Sequence, residues 1–147
     1  MSHHDEVLKA PYHLFFVRLL AGAILLFFGL LHWIVPENFR NILIAMQLPF
    51  VSLNMIAAPL AEVIAGSLLL LGLFSRLGGL IGVAVMAVAI YATIVIFNLT
   101  PQDLPPGLKE LPFVPPLPLP IVTGLLSLYI MVRGGGPFSL DQLRSKR

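Results

Sequence analysis

The chain has 147 residues, 58% of them hydrophobic and 11% charged, with a formal net charge of +2 and no cysteine. A soluble domain of this size is about 45–50% apolar and about 25% charged, so the composition excludes a water-soluble fold and points to an integral membrane protein. Without cysteine there is no thiol–disulfide exchange, iron–sulfur ligation or thiolate metal site. No basic patch interleaved with exposed aromatics suggests nucleic acid as a partner.

The chain opens on a polar stretch, residues 1–13, and no small-residue cleavage site follows the first apolar run, so no cleaved signal peptide is expected. The first predicted span is 14–35, closed by Pro36 and anchored by Trp33 at an interface. The next stretch is too polar to cross and is broken by Pro49. Within it, Phe39 to Leu48 has apolar residues at helical spacing, which predicts an amphipathic helix in the membrane interface. A second span is predicted at 54–74 and a third, free of charge, at 77–97. Only SRLGG-type residues separate them, which predicts a tight antiparallel hairpin.

Residues 101–120 contain eight prolines and can form neither a regular helix nor a strand; an extended cap is expected there. The fourth span is predicted at 116–132. Counted from Ile121 it reaches only about 18 Å, so it must begin among the prolines at 116–120, which a first helical turn tolerates. The tail, 133–147, interrupts that helix with three glycines and a proline. Ser139 and Gln142 then form a capping box for a short terminal helix.

The expected fold is therefore all-α, an antiparallel up-down four-helix membrane bundle over 14–132, with the short interfacial helix between spans one and two. With four spans, Lys9, Arg18, Arg76, Arg133, Arg144, Lys146 and Arg147 share one side, and Arg40 and Lys109 the other. That bias places both termini in the cytoplasm of a bacterial-type inner membrane.

Chemistry concentrates in the few ionisable residues within the spans. Glu62 is the only one between Met55 and Phe74. A carboxyl at that depth costs about 2.5–3.5 kcal/mol on insertion scales, so it needs a partner or a task. It either sits protonated as structural glue or serves a binding or proton-handling role, and in both cases it is expected neutral and facing the bundle interior. His32 lies near the extracytoplasmic end of span one. It either joins Trp33 in an interfacial belt or reaches Glu62, and then the two titrate as a pair. Arg18 belongs to the opposite end, too far along the axis to meet Glu62. It either snorkels to the headgroups or joins Arg76 around an anionic phosphate or headgroup. No metal site is expected: His3, His4 and His13 are terminal and lack ligand spacing.

Three motifs together resemble the DoxX family of small four-span membrane proteins. They are Arg18 in VRLLAGAILLFFGLLHW, the run Glu62-VIA-Gly66-SLLLL-Gly72-LFS-Arg76, and the closing GGGPFSLD from Gly134 to Asp141. A lysine often stands near the end of the first span in such proteins, where this chain has His32. The resemblance implies a subunit of, or accessory to, a quinone-linked membrane oxidoreductase complex, with quinone as the associated cofactor. Membrane lipids and other membrane subunits are then the expected partners. Two further readings stay open: a lipid- or small-molecule-binding, proton-coupled carrier built around Glu62, and a purely structural assembly subunit. Catalytic residues are not assignable, and whether the protein is itself an enzyme is left open.

Overall fold

A computed structural model describes residues 11–144 of the chain. The expectations placed on the first ten and last three residues, including Lys9, Lys146 and Arg147, lie outside the described residues. Among those described, every regular element is helical: α1 (His13–Ile34), α2 (Pro36–Ala45), α3 (Val51–Leu71), α4 (Ser75–Asn98), α5 (Pro118–Arg133) and α6 (Leu140–Arg144). Helices α1, α3 and α4 are long and apolar enough to cross a membrane. Helix α5 has 16 residues, about 24 Å at the helical rise, which is less than a hydrocarbon core of about 30 Å. Phe27, Ile56 and Ile94 stand exposed on helices whose inner faces are also apolar. Such all-round apolarity is the pattern of helices solvated by hydrocarbon.

Local chemistry moves several boundaries from their expected places. Pro36, expected to stop the first span, opens α2, where its missing N–H is harmless at the first helical position. The second apolar helix ends at Leu71 rather than Phe74, because Gly72 adopts a left-handed conformation with φ 65°. The amide of Leu73 then donates to the Leu68 carbonyl and that of Gly72 to Leu69, which closes the helix in a Schellman motif. The residues SRLGG are consequently the first turn of α4 rather than a connecting loop.

The helices pack where side chains are small. Gly22 and Gly29 of α1 lie against Gly66, Pro59 and Glu62 of α3, and Gly79 and Gly82 of α4 lie against Ser127 and Met131 of α5. In a bilayer, where apolar burial does not drive helices together, such close approach supplies the dispersion contact that does. A core of Ala21, Leu25, Ala65, Leu69, Met86 and Ile130 fills the centre.

Both ends of this bundle are covered. At one end α2 lays Ile42, Ala45 and Met46 on Ala92 and Ile96 of α4, with Leu108 and Val114 of the proline-rich segment packed beside them. Asn38 clamps that segment with a reciprocal pair of bonds: its Nδ2 donates to the Phe113 carbonyl (3.0 Å) and its Oδ1 accepts from the Phe113 amide (2.9 Å). At the other end the tail folds back. Asp141 accepts from the amides of Phe74 (2.7 Å) and Ser75 (2.8 Å) and so caps α4 from a distant part of the chain. Ser139 Oγ accepts from the Gln142 amide at 3.2 Å, the contact expected of an N-cap for α6.

Candidate functional site

Beneath the roof made by α2 and the proline-rich segment lies a cavity of about 370 Å³, within the lower range of small-molecule sites. Its walls are overwhelmingly apolar, including Phe28, Met86, Val88 and Leu119, with contributions from all five helices α1–α5. Polar side chains enter the lining at His32, Asn54, Glu62, Thr93 and Thr123, the last with its hydroxyl donating to the Leu119 carbonyl (2.8 Å). The Thr93 hydroxyl is committed to the Ala89 carbonyl one turn back (2.8 Å).

His32 and Glu62 meet. Nδ1 of His32 lies 2.8 Å from Oε2 of Glu62, with the imidazole 17% and the carboxyl 7% exposed. The separation along the axis that the sequence suggests is closed by side-chain direction. Helical side chains lean toward the N-terminus of their own helix. The His32 end of α1 lies beside the start of α3, so His32 leans inward and Glu62 leans outward until they touch. Gly29 makes this possible: a Cβ there would fall 2.9 Å from the Glu62 Cβ and 3.0 Å from the Pro59 carbonyl. On its other side His32 stacks on Phe39 of α2, with ring centroids 4.2 Å apart and planes 19° from parallel. The imidazole is thus held between a carboxyl and an aromatic face, one from each flanking helix.

The chemistry available to this pair is proton exchange. A carboxyl and an imidazole at hydrogen-bonding distance are a donor and an acceptor between which a proton can pass. Nε2 of His32 and Oε1 of Glu62 have no hydrogen-bond partner among the described residues, which leaves one atom of each for a ligand.

Arg18 and Arg76 lie away from this pair, at the end covered by the tail. Arg18 is only 1% exposed, so it does not snorkel. Its Nη2 donates to the Phe138 carbonyl at 3.1 Å, while Nε and Nη1 are buried without a partner among the described residues. The physical reason is the tail: a carbonyl 120 positions along the chain reaches the guanidinium and encloses it against Gly72. Arg76 is exposed. One guanidinium is enclosed and the other open, so the two present no shared open surface of the kind joint phosphate binding would use.

Asp141 is the residue whose role sequence reasoning missed. Burial pushes its carboxyl pKa upward, but bonds from Ser75 and Phe74 together with the nearby Arg144 outweigh burial and hold it below its ordinary value. Its place in the GGGPFSLD motif was the available signal.

The DoxX family model matches residues 13–96, more than half of the chain. The chain belongs to the DoxX family. No curated protein and no solved structure matches it significantly. The DoxX match covers Arg18, His32, Glu62 and Arg76, and it ends before the proline-rich segment, α5 and the tail. The pair and the cavity's walls from α1, α2, α3 and α4 thus lie in the family region, whereas Val114, Leu119 and Thr123 come from the proline-rich segment and α5 beyond it.

Proposed function

We propose that this DoxX-family membrane protein binds a small molecule with an apolar body and a hydrogen-bonding head, and that the His32–Glu62 pair exchanges a proton with that head. The observation that carries the reading is the 2.8 Å imidazole–carboxyl contact in the wall of an otherwise apolar cavity. A buried acid–base pair is costly unless it has work or a firm partner, and here each member keeps one polar atom unpaired.

A quinone fits these walls. Its ring suits the space beside Phe28, and its carbonyl oxygen suits donation from His32 Nε2 or from a protonated Glu62. When bound, such a group supplies two-electron redox chemistry; the chain's own residues orient it, exclude water and supply or accept protons. The protein then acts as an accessory subunit beside a membrane oxidoreductase that delivers the electrons. A proton-coupled lipid carrier uses the same pair without a redox partner. In either case α5 completes a four-span arrangement with the help of the residues before Pro118. The basic residues on the tail side support a cytoplasmic location for that end in the cell membrane.

The test is Glu62→Gln, which keeps size and hydrogen bonding and removes the exchangeable proton. Native mass spectrometry of protein extracted gently from its own membrane, with quantitation of bound lipids and quinones, should show normal assembly and lost ligand or turnover. Ligand and turnover identical to wild type would reduce Glu62 to structural glue and sink the proposal. Failure to assemble would instead assign the carboxyl to a contact with a partner chain.

A further inference from the structure

The lining of the cavity is not closed on every side. Most wall residues are buried or half-buried, but Ala57 of α3 and Ala84 and Val88 of α4 are exposed at the molecular surface. These three belong to one seam. Gly78 packs against Leu68 and Leu69, and that antiparallel register carries Ala57 to the level of Ile90, within a turn of Val88. The seam is built from small residues at this height, with Ala58 and Ala89 behind the three exposed ones. Four alanines at this height, Ala57, Ala58, Ala84 and Ala89, put little side-chain volume between the two helices. Outside the seam the flanking surface is apolar: Ile56, Leu60, Tyr91 and Ile94 are all exposed.

The aqueous end is closed. Helix α2 and the proline-rich segment roof the cavity with Ile42, Met46 and Val114, and the paired bonds of Asn38 to Phe113 hold the roof down. A ligand arriving from water would have to break those bonds and part that cluster. One arriving from the bilayer meets Ala57, Ala84 and Val88 at the seam and no paired bonds to break.

We infer that the α3–α4 seam at Ala57, Ala84 and Val88 is a lateral portal through which a bilayer-resident amphiphile enters the cavity, headgroup toward His32 and Glu62. This inference rests on the ligand-binding reading above and adds the route and the class of ligand. The ligand is drawn from the hydrocarbon layer rather than from solution, and its apolar chain trails through the seam into lipid. The arrangement also accounts for a pair one of whose members is only 7% exposed: the proton is exchanged with a headgroup delivered to it rather than with bulk water.

The experiment uses the full chain in liposomes containing a long-chain saturated alcohol with a diazirine a few carbons from its hydroxyl, the part of the ligand that the reading places inside the cavity. Brief illumination is followed by peptide mass spectrometry of the adducts. In wild type, adducts are expected at the interior wall residue Met86, which is 5% exposed, as well as on the lipid-facing surface. Ala57→Phe and Ala84→Phe plug the seam from exposed positions and should reduce interior adducts to background while leaving surface adducts intact. Ala87→Phe, exposed on α4 but outside the lining, should leave interior labelling as in wild type. Thr93→Phe fills the cavity from within and should abolish interior labelling with the seam open. If the plugs label like wild type while Thr93→Phe does not, the lateral route is wrong and the ligand site stands. If wild type shows no interior adducts, the site itself falls. A plug variant that loses its thermal transition is replaced by Val88→Trp, which blocks the same seam and is read in the same way.

Discussion

Replacing Gly66 with alanine tests whether close approach of α1 and α3 builds the site. A Cβ at this position would lie 2.6 Å from the Leu26 amide nitrogen, 2.8 Å from the Gly22 carbonyl and 2.9 Å from the Leu26 Cα. All three are backbone atoms of α1, so no rotamer change relieves the overlap. Ordinary contact begins near 3.4 Å, and the helices must part by most of an ångström to reach it. Alanine favours the helix by about 1 kcal/mol over glycine, whereas forced overpacking costs about 1–3 kcal/mol. Because the obstacle is rigid, the upper part of that range applies and the variant should be less stable by about 1–2 kcal/mol. Glu62 sits one turn away, so the same separation lengthens its 2.8 Å contact with His32 and weakens ligand retention. The assay is thermal unfolding in detergent, paired with the infrared carboxyl band of Glu62. Gly124→Ala is the control, because its Cβ would meet only Met86, whose Cβ lies 3.3 Å away, just short of ordinary contact, and its effect on stability should be much smaller than that of Gly66→Ala. Wild-type stability and an unshifted carboxyl band in Gly66→Ala would refute the reasoning.

Asp141→Asn should free the tail by weakening the two charge-assisted bonds to α4, at about 1–2 kcal/mol as for a lost helix cap; faster amide exchange at Phe74 and Ser75 is the readout. The folded-state pKa of Asp141 lies below the ordinary 3.8, so its contribution is full above that pH and is lost as pH falls through the depressed value. Tail exchange in wild type should therefore rise only in strong acid and should be insensitive to pH near neutrality. Arg18→Ala removes a charged donor from the Phe138 carbonyl, a loss of about 1.5–3 kcal/mol, and should increase protease cutting between Gly134 and Asp141; unchanged cutting would show that the tail holds without it. For topology, a cysteine at Gln102 should react with an impermeant reagent from outside and one at Ser145 should not; the reverse pattern inverts the proposed orientation.

The placement of the apolar helices was legible in the sequence because hydrocarbon imposes a length and composition rule on each segment separately. Runs of about 20 apolar residues, with proline and glycine between them, mark α1, α3 and α4 to within a few residues. Glu62 stood out for the same reason: a carboxyl has no cheap place in such a run. Its partner was legible only as one of two alternatives for His32, because sequence spacing gives depth along each helix but not the direction in which side chains lean or how close two axes come. Gly29 and the antiparallel packing of α1 on α3 decided that His32 meets Glu62 rather than joining Trp33 alone. Tertiary structure likewise overruled the local expectation for Arg18. Positive residues at a helix end ordinarily reach for headgroups, but a backbone carbonyl from the folded-back tail arrived first. The cavity and its open seam belong wholly to this second level. They are the space left where five helices and a proline-rich segment meet, and no single segment carries the shape of a gap.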